Sequence, residues 1–290
     1  MLSVLIVNWN TKELLARCLH SLQENPPEAV PMEIIVVEND SSDGSAERVA
    51  QEFPNVKLIR APRNLGYAAG NNAAFARAQG EWLLTLNPDT EIGPGVLDAA
   101  VQGLQNRPGY GVWACQLVGL DGKVQASVRG FPSVIGVLGE ALGVATRFSG
   151  SRWDSYRLSS FSYQESGPAP QPMGTFLLFR RSALAEIGNA AGPFDEDFPI
   201  FYNEVDLLWR LRKAGWLCWF EASCQVRHVH GASTQQVRKS MIWESHRSLV
   251  RYAHKHGSWP VRLLMNFGGA AAIYLKALLR ARGYDAGFRA

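Results

Sequence analysis

The segment Glu81–Thr90, EWLLTLNPDT, limits what this chain can fold into more than any other stretch. Trp82, Leu83, Leu84 and Leu86 leave no polar face, so a strand built from them must be covered on both sides, as in the middle of a parallel sheet. Pro88 has no amide hydrogen to donate, so the ladder stops there. Asp89 is thereby predicted at the carboxyl edge of a central strand. In open α/β sheets that edge binds ligands, and a carboxylate there can hold a hard cation, Mg2+ or Mn2+, bridging a pyrophosphate. A turn Asp capping a helix that starts near Gly95 fits the same residues.

The preceding residues repeat the pattern. Leu2–Val7 reads as a buried strand closing at Asn8-Trp9-Asn10. Asn10 or Thr11 is then placed to cap a helix with Leu14, Leu15, Cys18, Leu19 and Leu22 on one face, and Glu13 as a capping-box partner. Glu33–Val37 closes at Glu38-Asn39-Asp40 and leads into a helix through Ala46–Phe53. Val56–Arg60 closes at Ala61-Pro62-Arg63-Asn64, and Leu65–Asn72 opens an alanine-rich helix to about Ala78. Strands alternating with helices predict right-handed crossovers and a Rossmann-like, mostly parallel α/β sheet. Four polar clusters, at Asn8, Glu38-Asn39, Arg63-Asn64 and Asp89, then fall on one edge. With neither a P-loop nor a GxGxxG, a plain dehydrogenase or P-loop enzyme is disfavoured.

At 290 residues and 47% hydrophobic content the chain can bury a large core, and a net charge of +3 gives no argument for nucleic acid. Cys18, Cys115, Cys218 and Cys224 sit singly in apolar segments, as small buried hydrophobes in a reducing compartment. The first residues lack a basic n-region and reach a polar turn too soon for a signal h-region, which points to the cytoplasm.

Beyond Asp89 the pattern becomes α+β. A helix is predicted over Gly95–Asn106, a hairpin pairs Tyr110–Val118 with Lys123–Val128, and Gly130–Pro172 has no clear period. Thr175–Arg180 reads as a strand and Ser182–Ile187 as a short helix. A further helix is expected from about Glu204 to Ala214, with Glu204 and Asp206 at its N-terminus where the dipole favours carboxylates. Trp216–Phe220 and Ser223–His230 read as strands, and Trp209, Trp216 and Trp219 as core rather than a sugar platform. Ser240–His256 looks like a basic amphipathic helix. Pro260–Gly283 is apolar but for Arg262, Asn266, Lys276 and its basic end; it reads either as an interfacial helix on an anionic leaflet or as a packing or dimer helix.

The motifs Asn8-Trp9-Asn10, VVENDSSDGS, RNLGYAAGNN, LLTLNPDT, MGTFLLFRRSAL, GPFDEDF, NEVDLLWRLRKAGW and VRHVHGAS follow one another in an order that resembles family 2 inverting glycosyltransferases of the GT-A fold. The rhamnosyltransferase-type members of bacterial surface polysaccharide assembly are the most similar. The resemblance covers roughly residues 2–235. It implies a nucleotide-sugar-binding half over 1–92, an acceptor and catalytic half over 93–235, and a helical tail over 236–290. It also implies a nucleotide-diphosphate sugar donor, a saccharide or lipid-linked acceptor, a divalent cation and a location in the cytoplasm, extended to the inner face of the cell membrane if the tail docks there.

By the same resemblance, Glu38 and Asn39 match the pair that contacts base and ribose, with Asp43 close behind. Asn64, Gly70 and Asn71 match positions lining the nucleotide, as Asn8 does at the first strand end. Asn87 and Asp89 match the ends of the metal motif, Glu204 the general base, and His228 a further contact to metal or diphosphate. Asn87 and Asn203 stand where carboxylates are usual, and Glu38 where Asp is; Asn87 implies a metal held loosely, largely by the ligand's own phosphates. Inverting transfer needs one group to take the acceptor hydroxyl's proton and others to meet the charge growing on the diphosphate. A sugar nucleotidyltransferase and a non-catalytic nucleotide-sugar-binding module are the alternatives. The first should carry a Gly-rich phosphate loop near the N-terminus, which NWNTKELL does not resemble.

Overall fold

The computed structural model of the chain describes residues 1–188, 191–229 and 238–285. Its first part runs β1 (Leu2–Asn8), α1 (Lys12–Glu24), β2 (Met32–Glu38), α2 (Ser45–Glu52), β3 (Lys57–Arg60), α3 (Gly66–Phe75), β4 (Trp82–Leu86) and β5 (Thr90–Ile92). It continues α4 (Val96–Gln105), β6 (Tyr110–Val118), β7 (Val128–Arg129), α5 (Val134–Ala141), β8 (Gly167–Pro168), β9 (Gln171–Pro172), β10 (Phe176–Arg180), α6 (Arg181–Ile187), α7 (Asn203–Lys213) and β11 (Leu217–His228). The last helices are α8 (Arg238–His256), α9 (Trp259–Leu264) and α10 (Ala270–Asp285).

The main sheet has the order β3-β2-β1-β4-β10-β6-β11-β5, with β8 added on β11. Strands β3, β2, β1 and β4 are parallel; β10 lies antiparallel between β4 and β6. Side-chain alternation splits the core in two. Leu2, Val4 and Ile6 meet Leu15, Leu19 and Leu22 of α1 on one face, while Leu5 and Val7 meet Ala68 of α3 and Leu207 of α7 on the other. Gly70 lets α3 approach closely, since a Cβ there would stand 2.8 Å from Val7 Cγ1.

The second half departs from the expected pattern. The hairpin across Gly119–Gly122 shrinks to one bridge between Val118 and Val124. Its cause is that β11 takes one edge of β6 along its length and β10 the other edge at Val112 and Trp113. The two strands expected over Trp216–Phe220 and Ser223–His230 are one strand, β11, with a register shift between Glu221 and Gln225. Beyond this bend Val226–His228 pair with β5, so His228 comes opposite Thr90. The continuation to His230 and the boundary at 235–236 lie outside the described residues.

Helix α1 is capped differently from expectation. The Thr11 hydroxyl donates to Asn8 Oδ1, and it is Asp43 Oδ2 that accepts from the Lys12 amide at 2.8 Å; Glu13 pairs with Arg48 instead of closing a capping box. Trp216 and Trp219 pack against the two cores, and Trp209 lies against Phe131 with ring centroids 4.8 Å apart. Cys18, Cys115 and Cys218 are buried free thiols and Cys224 is half-buried.

Helix α8 is built into the body. Tyr252 packs with Phe198 and Val205, and the last turn of α8 closes on a fully buried carboxylate, Asp206. Asp206 Oδ1 receives His256 Nε2 at 2.6 Å and Lys255 Nζ at 2.7 Å, and Oδ2 receives Arg210 Nε at 2.8 Å. Burial alone would raise this carboxyl, but His256, Arg210 and Lys255 outweigh it and hold it at about 2. Its folded value therefore lies below the ordinary 3.8, so its stabilisation is present above that pH and is lost as pH falls toward about 2. Asp206→Asn leaves Arg210 and Lys255 without their counter-charge. It should destabilise the fold by about 3 kcal/mol and flatten the acid limb of the stability profile, measured by urea unfolding as a function of pH.

Candidate active site

The carboxyl ends of β1, β2 and β4 open onto a cleft of about 300 Å³. Asn39, Asn64, Gly66 and Tyr67 form one wall, Asn87-Pro88-Asp89 and His228 the floor, and Gly174, Thr175, Asn203 and Glu204 the opposite side. Of the expected residues, Asn39, Asn64, Asn87, Asp89, Glu204 and His228 are thus brought together.

Asn8, Glu38, Gly70 and Asn71, also expected at the nucleotide, are not among the residues lining this cleft and stand behind its wall. Asn8 is fully buried, donating to Glu38 Oε2 at 2.9 Å and Ser45 Oγ at 3.0 Å. Glu38 accepts further from Ser41 and Ser45, so its carboxylate is used up in tying β1 to β2. Asn71 Nδ2 donates within α3 to the Tyr67 carbonyl. Asp43, also expected near the nucleotide, caps the starts of α1 and α2 through the amides of Lys12 and Ser45. Asn39, by contrast, shapes the wall: it donates to Asn64 Oδ1 at 2.9 Å and accepts from the Leu65 amide at 2.8 Å.

Gly66 joins the two sides. With φ at +81°, it turns the amides of Tyr67 and Ala68 onto the Pro199 carbonyl, from the loop ahead of α7. A Cβ on Gly66 would stand 2.7 Å from that oxygen. On the α7 side, Tyr202 takes a left-handed φ of 63°, uncommon for a bulky residue. Its ring rests on Tyr252 of α8, and its hydroxyl lies 3.4 Å from that of Tyr156.

This turn presents Glu204, half-buried, to the cleft. Burial pushes its carboxyl up to about 6, against the lowering pull of the backbone amides of Glu204 and Val205. No cationic partner among the described residues offsets the burial. Two residues along the same helix, Asp206 has two, Arg210 and Lys255, and a hydrogen bond to His256. The arrangement separates a basic carboxylate that can accept a proton near neutrality from one locked as an anion.

The floor holds a second polarity. Val229 donates its amide to the Asp89 carbonyl at 2.8 Å, fixing β11 beside the turn. Asp89 Oδ1 is buried without a hydrogen-bond partner and faces His228 Nε2 at 3.5 Å. Gln125 donates Nε2 to the His228 carbonyl at 3.1 Å, so its Oε1, 2.7 Å from His228 Nδ1, accepts the ring proton. Nε2 of the ring is thereby turned toward Asp89. A buried carboxylate oxygen without a hydrogen-bond partner, beside an imidazole nitrogen, is a donor set that fits a divalent cation. Among the described residues no group of three or more His, Cys, Asp or Glu gathers as a metal site, so any cation there takes its remaining ligands from phosphate or water.

Trp9, Tyr67, Gln125 and the Gly174-Thr175 turn are site residues that sequence reasoning missed. Trp9 and Tyr67 lay inside the quoted motifs, and their one signal was a large aromatic side chain just past a strand end. Gln125, beyond the supposed hairpin turn, had none.

With this geometry in hand, comparison with known proteins is informative. Residues 3–188 match the family described as Glycosyl transferase family 2. An N-acetylglucosaminyl-diphospho-decaprenol L-rhamnosyltransferase of Mycobacterium tuberculosis is 30% identical over 276 residues, 89% of this chain and 86% of that protein. An O-antigen biosynthesis protein of Myxococcus xanthus is 28% identical over 214 residues, 69% of this chain but 15% of its own length. Among solved structures, residues 1–349 of S. aureus TarS superpose with a TM-score of 0.56 at 15% identity, covering 95% of this chain and 80% of that one. GalNAc-T7, solved with UDP, GalNAc and Mn2+, gives a TM-score of 0.57 at 15% identity over 79% of this chain and 44% of its own. The mostly parallel sheet with its ligand edge is the GT-A fold, and the chain belongs to glycosyl transferase family 2.

Proposed function

We propose that this glycosyltransferase moves a sugar, rhamnose being the first candidate, from a nucleoside-diphosphate donor to a hydroxyl of a lipid-linked saccharide, with inversion, in cell-surface polysaccharide synthesis on the cytoplasmic side of the membrane. The observation that carries the reading is Glu204: a carboxylate raised by burial, without a cationic partner, on the same cleft as the Asp89–His228 pair. The mycobacterial relative's name supports the sugar and the lipid-linked acceptor.

In this reading Glu204 takes the proton from the acceptor hydroxyl as its oxygen bonds to the anomeric carbon. The carbon–oxygen bond to the diphosphate breaks on the opposite face, and the electron pair leaves with the phosphate. Asp89 and His228 would hold a divalent cation, which when bound supplies positive charge to that leaving group. Asn39, Asn64 and Tyr67 line the donor wall, and Tyr202 with Asn203 fix the angle at which Glu204 enters.

Glu204→Gln tests the base. Transfer, followed as released nucleoside diphosphate, should fall by about 10²–10⁴ while donor affinity changes little. Because the folded value of Glu204 is raised to about 6, its stabilising contribution is present at acid pH and is lost as pH rises through that value. The neutral Gln escapes this loss, so the inactive variant should melt higher than the parent above about pH 6, and the parent's rate should climb through the same range. Transfer surviving within a few-fold would move the base elsewhere. Asp89→Asn should weaken Mn2+-dependent binding of nucleoside diphosphate by about tenfold or more in calorimetry, with metal-free binding unchanged; equal metal-dependent affinity would remove Asp89 from the site.

A further inference from the structure

Helix α5, in the stretch where the sequence showed no period, is held by its small residues. A Cβ on Gly139 would fall 2.1 Å from the Trp153 carbonyl oxygen, and one on Gly136 2.6 Å from Ser155 Oγ. With the glycines turned inward, the large side chains face water. Ile135 is 40% exposed, Leu138 46% and Leu142 67%, and Phe148 and Trp153 beyond them are 51% and 40% exposed.

A second apolar surface lies on the stretch Trp259–Arg282, 24 residues that include an 18-residue window with a mean hydropathy of 1.2. Ala277 and Ala281 are buried, whereas Trp259, Phe267, Leu275 and Leu279 are exposed at 75%, 81%, 57% and 60%. The stretch is long and apolar enough to span a bilayer. However, its helix is broken at Phe267 and Gly268, with φ of +116° at Gly268, and Asn266 and Lys276 interrupt it, which suits a segment lying along an interface.

The two surfaces flank one packed body: Gly136 of α5 backs onto Tyr156, whose hydroxyl lies 3.4 Å from that of Tyr202, Tyr202 rests on Tyr252 of α8, and Trp243 of α8 meets Tyr274 of α10 with ring centroids 6.4 Å apart. Glu140 of α5 is paired with Arg157 and Arg129. Between residues 141 and 153 the charged side chains are Arg147 and Arg152; between 259 and 282 they are Arg262, Lys276, Arg280 and Arg282, with no carboxylate in either stretch. Facing a second copy, these cations would meet like charge; facing anionic headgroups they are complementary.

We propose that α5 and the Trp259–Arg282 stretch together form a two-part seat on an anionic membrane leaflet, from which the enzyme takes its lipid-linked acceptor. The acceptor clause rests on the proposed function; the seat does not. Each part also reaches the base-bearing helix. Tyr156, just past Trp153, meets Tyr202, and His256, just ahead of Trp259, holds Asp206. Seating therefore orients the start of α7 relative to the bilayer.

The test is co-sedimentation of the full chain with phosphatidylglycerol–phosphatidylcholine vesicles against phosphatidylcholine alone, at low and high salt. Leu138→Glu with Leu142→Glu on α5, and Leu275→Glu with Leu279→Glu on α10, should each lower partition onto the anionic vesicles by about tenfold or more. Binding should weaken in salt, and circular dichroism should confirm an unchanged fold; Leu142→Glu alone serves if the double variant unfolds. Turnover of a soluble acceptor analogue should persist in both variants, while turnover of the same acceptor in vesicles falls. Unchanged partition of the α5 variant would overturn the two-part seat, as would a dimer seen by light scattering that the α5 substitutions dissolve. Vesicle binding is read without turnover, so loss of the transferase assignment would leave this result standing.

Discussion

The site depends on the break in the backbone at Asn87-Pro88-Asp89. A central strand that continued would have carried its polar end out into solvent. Instead the ladder stops at Pro88, the chain crosses over, and Thr90–Ile92 pair with the far end of β11. That pairing requires β11 to bend, which its register shift between Glu221 and Gln225 supplies. His228 then has one available place, next to Asp89, and Gln125 sets its ring. A proline thus fixes the relation between residues distant in sequence, by denying a hydrogen bond.

The second determinant is the contrast between two carboxylates on one helix. Glu204 and Asp206 share the same helical dipole, so the dipole cannot be what separates them. Packing does. Asp206 points toward α8 and meets Arg210, Lys255 and His256, while Glu204 points into the cleft and, among the described residues, has no cation beside it. The desolvation cost carried by Glu204 is tolerable because the turn before it is held from outside: Tyr252 supports Tyr202, and Pro199 receives the amides of Tyr67 and Ala68. Reactivity at one residue is supported by over-determined structure around it.

The parallel half of the fold was legible because its signals are local. Continuous apolar runs identify strands buried on two faces, and the polar residues after them mark one edge. Asp89, Asn39 and Asn64 could be placed on that logic, and Glu204 at a helix start. Whether a polar side chain at a strand end turns toward the ligand or toward the next strand is a different matter, decided by a neighbour far away in sequence. Asn8 sits opposite Glu38 in register and bonds to it, so both turn toward the neighbouring strand rather than into the cleft. The bend of β11, the placement of β5 and the exposed face of α5 have no local signature, since each is set by competition for an edge already occupied or by glycine contacts with a distant loop. Family likeness supplied His228, for which the residues alone gave no geometry.

The clamp of Lys255 and His256 on Asp206 also bears on how the protein is made. Synthesis proceeds from the N-terminus, so the sheet, the cleft floor and α7 leave the ribosome well before the last turn of α8. Until that turn arrives, Asp206 has Arg210 alone against a full negative charge in an apolar setting, and Tyr202 lacks the ring that supports its unusual backbone. The nascent chain can therefore hold a formed cleft floor while the start of α7 is still unsettled, and the setting of Glu204 is complete only as the segment just ahead of Trp259 emerges.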